Sequence, residues 1–159
     1  MAVPQFVYCV RYSGSSTFLP EVKSPAMAGV YGSEYAGVRG KSITDVAIKV
    51  VGDGEVEYRV HVKGYPKDKW LPVVYGKKYN PKDGINGFAG NGQIIDAIQI
   101  KYTPAKTVDG LAGGTAYYRV SPVNKDYYPE QRNNVVDSKN DGYAGCYGVA
   151  IDKFQIRRG

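Results

Sequence analysis

The sequence is poor in the residue types that build metal centres, disulfide scaffolds and nucleophilic active sites. Two cysteines, two methionines, one tryptophan and one histidine occur in 159 residues. Cys9 and Cys146 lie 137 positions apart, without the Cys/His spacing of a zinc site. We predict two reduced, buried thiols, with a disulfide as the alternative. His61 stands between two valines in an alternating pattern, so we expect it to face solvent rather than to act as a base.

No catalytic motif is visible. No serine or cysteine has a triad context, and there is no phosphate-binding loop, metal-spaced cluster or cofactor motif. Glycoside hydrolysis needs only two carboxylates, and with 15 acidic residues it stays open as an alternative. We predict a protein that is not an enzyme, with no metal and no cofactor.

Long apolar segments are also missing. No run of about 18 apolar residues could span a bilayer, and the start M-A-V-P-Q-F-V lacks the basic and apolar regions of a signal peptide. We expect no membrane insertion and no export signal in this chain. No stretch of ten or more residues combines helical spacing with a cap, so the sequence does not predict an α-helix.

The chain does carry an excess of positive charge, +6 at neutral pH. This favours anionic partners such as nucleic acid, an acidic wall polymer or an anionic membrane surface. The lysines and arginines are scattered, however, and no basic and aromatic array typical of RNA-binding sheets is present. We therefore expect no nucleic acid partner.

One phrase occurs three times along the chain. G-F-A-G-N-G-Q-I-I-D-A-I-Q-I at residues 87–100 returns as G-Y-A-G-C-Y-G-V-A-I-D-K-F-Q-I at 142–156, and in degraded form as Y-A-G-V-R-G-K-S-I-T-D-V-A-I at 35–48. Each copy follows a Tyr-x-Val and an aromatic residue two positions before a proline. These landmarks are Tyr8, Tyr58 and Tyr118, with Val10, Val60 and Val120, and then Phe18, Trp70 and Tyr127.

The repeated unit has the pattern of strands joined by tight turns. Tyr58, Val60 and Val62 alternate with polar residues, as in a half-buried strand, and clusters of Gly, Asn, Asp and Pro punctuate the chain. We predict one all-β domain over 1–159, made of three repeats at about 5–50, 55–103 and 115–158. One small sheet cannot bury its apolar face alone, so the three units should close into a pseudo-threefold body, a β-prism or, as the alternative, a β-trefoil.

Two copies of the phrase contain Gly-x-x-x-Asp, from Gly92 to Asp96 and from Gly148 to Asp152. This segment resembles the C-terminal part of jacalin-related lectins, which are β-prisms. In that family the motif closes the sugar pocket. The resemblance favours the prism and implies a carbohydrate site at these residues.

A wider resemblance covers nearly the whole chain. The order of Tyr58, Trp70, the Phe-Ala-Gly at 88–90 and the apolar run at 95–100 resembles the clostridial hydrophobic-tryptophan repeat. The three units together are similar to C-terminal domains of cell-wall hydrolases from clostridia, other Firmicutes and their phages. The resemblance implies non-catalytic binding of peptidoglycan or wall-attached polysaccharide, fusion to a catalytic hydrolase domain, and action at the bacterial cell wall after host lysis if phage-encoded.

The candidate site follows from what a sugar requires. A carboxylate accepts hydrogen bonds from adjacent hydroxyls, and an aromatic face packs on the sugar's C–H patch. The acceptor candidates are Asp96 and Asp152, with Gly92 and Gly148 shaping the loops; the platform candidates are Trp70, Tyr127, Phe88 and Tyr143. Because the first unit has Thr44 where the others have Asp, we expect its pocket to be altered or lost.

Each candidate also has a structural interpretation. The aromatic residues could be core packing, and the aspartates could satisfy local backbone N–H groups. Two other functions stay open: a free-standing lectin for other glycans, and an assembly module without a sugar site.

Overall fold

The computed structural model describes residues 4–83, 86–105 and 115–159. The described chain contains twelve strands, one 3-10 turn at Gly76–Lys78 and no α-helix, which confirms the all-β prediction. The strands, in chain order, are β1 Gln5–Tyr12, β2 Val22–Lys23, β3 Ala36–Gly37, β4 Ile43–Val51, β5 Glu55–Val62, β6 Val74–Tyr75, β7 Ala89–Gly90, β8 Ile95–Thr103, β9 Ala116–Pro122, β10 Gln131–Arg132, β11 Ala144–Gly145 and β12 Ile151–Arg158.

The strands form three antiparallel sheets of four strands each. Their orders are β2-β1-β4-β7, β11-β8-β5-β6 and β10-β9-β12-β3. Two long strands form the centre of each sheet, and a two-residue strand lies at each edge. In β5 and in the second half of β8 the sequence alternates apolar and polar residues.

The short Ala-Gly strands connect the three sheets to one another. β7 of the second unit pairs with β4 of the first, and β11 of the third unit pairs with β8 of the second. β3 of the first unit pairs in turn with β12 of the third. Every sheet is therefore completed by a strand from another unit.

The inward faces of the three sheets share one hydrophobic core. Tyr8, Tyr58 and Tyr118 are at most 2% exposed, and the Tyr8 ring contacts Phe154 edge to face at 5.2 Å between ring centres. Ile48, Ile98, Ile100 and Ile156 of the repeated phrase lie in the same cluster. Burying such side chains contributes about 1.5–3 kcal/mol each relative to exposure.

Each long hairpin contains a β-bulge near its end. The register shifts between Arg11 and Tyr12, between His61 and Val62, and between Ile151 and Lys153. A bulge inserts one extra residue, so the alternation of faces is broken beyond it. The extra residue of the second bulge is Asp96, on the strand that faces His61. His61 itself is covered by the rings of Trp70 and Tyr147 and has no exposed surface, so the expectation that it faces solvent is wrong.

The two thiols lie in different environments. Both cysteines are free, as predicted, but only Cys9 is buried and Cys146 is exposed, so the expectation of two buried thiols is half wrong. Among the described residues, no helix is long and apolar enough to cross a membrane.

Candidate functional site

A buried carboxylate lies at the bulge of the second hairpin. Asp96 has no exposed surface, and its Oδ1 lies 2.7 Å from His61 Nδ1. Its Oδ2 accepts a hydrogen bond of 2.8 Å from the backbone N–H of Gly148. His61 Nε2 lies 2.8 Å from the carbonyl oxygen of Pro66. Both oxygens of Asp96 therefore have protein partners.

The third hairpin has the same arrangement with a serine in place of the histidine. Asp152, also without exposed surface, accepts 2.8 Å hydrogen bonds from Ser121 Oγ and from the N–H of Gly40. The N–H of Asn124 donates a further bond of 2.9 Å. The carboxylate thus ties three chain segments together.

In the first hairpin the carboxylate comes from the next residue along the chain. Thr44 occupies the bulge, as Asp96 and Asp152 do, and it donates a 2.7 Å hydrogen bond to Asp45. Asp45 is paired with Arg11 at 2.9 Å and accepts a 3.2 Å bond from the N–H of Gly92. Asp45 therefore supplies in the first hairpin the carboxylate that the bulge residue supplies in the other two.

These contacts change the interpretation of the Gly-x-x-x-Asp motif. Gly92 donates to Asp45 of the first unit, while Asp96 accepts from Gly148 of the third unit. The glycine and aspartate of one motif therefore contact different units rather than closing a pocket together. Asp96 and Asp152 have no surface facing solvent, and each holds a loop through a backbone N–H group.

Two of the four aromatic candidates, Trp70 and Tyr143, contact each other although they come from different units. Trp70 and Tyr143 pack edge to face at 5.7 Å, and the Arg59 guanidinium lies 4.7 Å from the Trp70 ring centre. Tyr147 extends this group, 5.0 Å from Tyr143. Burial, followed by the influence of Tyr147, raises the pKa of Tyr143 to about 12. We call Trp70, Tyr143 and Arg59 the second aromatic cluster.

The corresponding residues of the other units form two further clusters. In the first aromatic cluster, Phe18 packs on Phe88 at 4.9 Å and Arg11 lies 5.3 and 5.2 Å from their centres. In the third, Arg119 lies 4.2 Å from the Tyr127 ring centre, and Lys153 lies between Tyr127 and Tyr35 at 5.0 and 5.7 Å.

A cavity of about 720 Å³ opens at the first aromatic cluster. Phe18, Leu19 and Phe88 provide apolar walls, and Cys9, Arg11 and Glu21 add sulfur and charge. Binding pockets for small ligands typically measure about 300–1,000 Å³ and combine apolar walls with a few polar groups. Sequence reasoning selected Phe88 but missed Cys9, Arg11 and Phe18 as site residues.

The repeat contains a departure from its own pattern that points to the residues that sequence reasoning missed. Cys9 occupies the position of Arg59 and Arg119 after the opening tyrosine, and this break in the pattern marks the unit with the cavity. Within the described residues, no three His, Cys, Asp or Glu side chains converge to hold a metal ion. No protein-family model, curated protein or solved structure gives a significant match to the chain.

Proposed function

We propose that the chain is a non-catalytic domain that binds bacterial cell-wall glycan, peptidoglycan or wall-attached polysaccharide, and targets a peptidoglycan hydrolase to its substrate. The observation that carries the proposal is the set of three aromatic clusters, each built from two units and each with an arginine against a ring. Partly exposed aromatic faces beside charged groups suit sugars, which present C–H patches and hydroxyls together.

The cavity at the first cluster supplies the other groups that a sugar needs. Ser16, Thr17 and Glu21 line it alongside Phe18 and Phe88. Hydroxyl groups can donate to the carboxylate and exchange hydrogen bonds with Ser and Thr. The ligand chemistry of this surface therefore matches a polyhydroxylated polymer.

We further propose that the three sheets are the sides of a pseudo-threefold β-prism. The support is their common make-up, a long hairpin edged by two short strands, and the exchange of Ala-Gly strands between units. Such a body would display its clusters in different directions. On a polymeric wall, contacts at clusters too weak to hold a free oligosaccharide would add to the strongest one through effective concentration.

Asp96 and Asp152 act in this proposal as positioning residues. By accepting from the N–H groups of Gly148 and Gly40, they fix the loops that follow the Ala-Gly strands. Those strands carry the aromatic residues Tyr143 and Tyr35 directly before them. In this proposal the carboxylates position the aromatic platform residues and do not contact the sugar.

Sedimentation with intact Gram-positive cells tests the proposal. The fluorescently labelled chain should pellet with the cells, and an excess of simple monosaccharides should not release it. A matched pair of variants, Phe88→Ala at the first cluster and Tyr75→Ala at an exposed position outside the clusters, should respectively weaken and preserve pelleting. Release by one monosaccharide would favour a free-standing lectin, and failure to pellet with any clostridial or related species would contradict wall binding.

A further inference from the structure

The three clusters differ at one pair of facing residues in the long hairpins. Arg59 pairs across the hairpin with Gln99, and Arg119 pairs with Gln155. Arg59 Nε donates to Gln99 Oε1 at 2.7 Å, and Arg119 donates to Gln155 Oε1 at 2.9 and 2.7 Å. At the same place in the first hairpin, Cys9 pairs with Ala47.

The Arg and Gln pairs fill the space under the aromatic rings. Each arginine lies against the ring that follows its strand, Trp70 or Tyr127. Gln99 Nε2 donates to the carbonyl of Gly142, immediately before Tyr143. Gln155 Nε2 donates to the carbonyls of Gly32 and Glu34, immediately before Tyr35. The pair thus occupies the cluster and also ties down its second aromatic residue.

The first cluster lacks this filling because Cys9 and Ala47 are short. The cavity there measures about 720 Å³, and Arg11, Phe18 and Phe88 are among its lining residues. Cys9 is 1% exposed and lines the cavity, with its Sγ 3.4 Å from the Tyr79 hydroxyl. Burial raises the pKa of the Cys9 thiol, which keeps this surface uncharged.

Most charged groups around the cavity are already neutralised by protein partners. Arg11 pairs with the buried Asp45, and Glu21 accepts from the Tyr79 hydroxyl and lies 3.9 Å from Lys49. Lys82 contributes its side chain at the exposed rim. This arrangement favours a neutral ligand over a strongly anionic one, because an anion would have to compete with Asp45 for Arg11.

We infer that the first cluster is the open sugar site of the chain and takes one N-acetylated hexosamine residue. The sugar ring would pack on Phe18 and Phe88, its hydroxyls would meet Glu21 and Thr17, and the acetamido methyl would lie against Cys9. The inference rests on the proposed function and names the ligand class of one of its clusters.

Calorimetric titration of the full chain with N,N′,N″-triacetylchitotriose tests the assignment. The expected stoichiometry is one trisaccharide per chain. Cellotriose, which lacks the acetamido groups, should bind at least about tenfold more weakly, since losing a small apolar contact in a pocket costs about 1–3 kcal/mol. Trp70, the single tryptophan, lies in the second cluster, so its fluorescence should not change on binding.

Two variants test whether the sugar binds in this cavity. Cys9→Arg combined with Ala47→Gln recreates the filling of the other clusters and should abolish trisaccharide binding. Because this change is in the interior, Thr17→Arg provides a second test at an exposed rim residue whose side chain can obstruct the cavity. Thr17→Arg should also lose binding, while Thr103→Arg, the same change at an exposed position on β8, should not.

Three results would overturn the inference: unchanged affinity in Thr17→Arg, a Trp70 fluorescence change on binding, or equal affinity for cellotriose. A chain that binds walls but not triacetylchitotriose would refute the ligand class and leave wall binding intact. A chain that does not bind walls at all would refute the proposed function itself.

Discussion

The carboxylate of Asp152 illustrates how a buried charge organises this molecule. It accepts three hydrogen bonds, two of them from backbone N–H groups of Gly40 and Asn124. Removing it would leave these two N–H groups and the buried hydroxyl of Ser121 without their acceptor. We expect Asp152→Ala to lower the free energy of unfolding by about 3 kcal/mol, measured by guanidinium denaturation.

Asp126→Ala, at an exposed carboxylate in the same unit, provides the control and should leave stability nearly unchanged. An Asp152→Ala protein of unaltered stability that no longer pellets with cells would show instead that Asp152 contacts the ligand directly.

Buried tyrosines make the stability sensitive to alkaline pH. Burial raises the pKa of Tyr8 to about 12 and raises that of Tyr118 as well. The unfolded chain releases these protons near pH 10, whereas the native state retains them. The native state then holds more protons, so stability is complete below about pH 10 and declines as the pH rises toward the native values.

Unfolding free energies at about pH 8, 10 and 11 measure this effect. Each tyrosine that stays protonated in the native state lowers the free energy of unfolding by up to about 1.4 kcal/mol per pH unit. Tyr8→Phe should give a shallower decline than the wild type above pH 10. A stability that is flat up to pH 11 would show that these hydroxyls are not shielded as the structure indicates.

Sequence reasoning at single positions succeeded for residues of the core and failed for a residue that distant segments of the chain cover. The opening tyrosines are buried, and so are Ile98 and Ile100 of the repeated phrase, as their periodicity predicts. His61 follows the same alternation, but the rings of Trp70 and Tyr147 cover it, and a bulge at Asp96 on the facing strand brings that carboxylate against it. A bulge adds one residue without a distinctive sequence, so its position is not visible in the pattern.

At the scale of elements, the long strands were predictable and the short ones were not. The hairpin strands β5 and β8 show period-two patterns. A two-residue strand such as β11 carries no such pattern, and its partner β8 belongs to another unit. For this reason the link between Asp96 and Gly148 could not be foreseen from a motif that spans only five residues.

The Ala-Gly strands require glycine because the backbones approach closely. Gly145 has a φ of 122°, and a Cβ there would overlap the carbonyl oxygen of Asp96. Gly64 has a φ of 94° but open space around it. We expect Gly64→Ala to cost about 1 kcal/mol from backbone strain alone, and Gly145→Ala to cost more than about 3 kcal/mol because β11 must also move.

Thermal unfolding of the two variants compares these costs. Equal melting temperatures would mean that β11 is not packed against β8 as described. A lower melting temperature for Gly145→Ala, together with weaker sedimentation with cells, would link this strand to the placement of Tyr143.

The whole molecule should unfold in a single transition, since each sheet is completed by a strand from another repeat unit. Trp70 reports on the second unit, while the far-ultraviolet circular dichroism reports on all three. We expect the two denaturation curves to coincide, as for a single cooperative domain. Separate transitions would indicate that the units fold independently.

Net charge offers a competing explanation for any binding to a cell wall. With a charge of +6, the chain could adhere to anionic wall polymers without using its aromatic clusters. Charge-driven adhesion between exposed groups weakens strongly as salt rises, because the screening length falls from about 10 Å at 0.1 M to about 3 Å at 1 M. Contacts of sugars with aromatic surfaces are much less affected.

The most direct test of glycan recognition is therefore a pull-down of the labelled chain on purified Gram-positive walls at low and high salt. It is done before and after the covalently attached teichoic acids and polysaccharides are stripped. We predict binding that persists at high salt and is weakened by Phe88→Ala; survival after stripping would identify peptidoglycan, and loss would identify the attached polymer. Binding that high salt abolishes, or that Phe88→Ala leaves unchanged, would contradict recognition through the aromatic clusters.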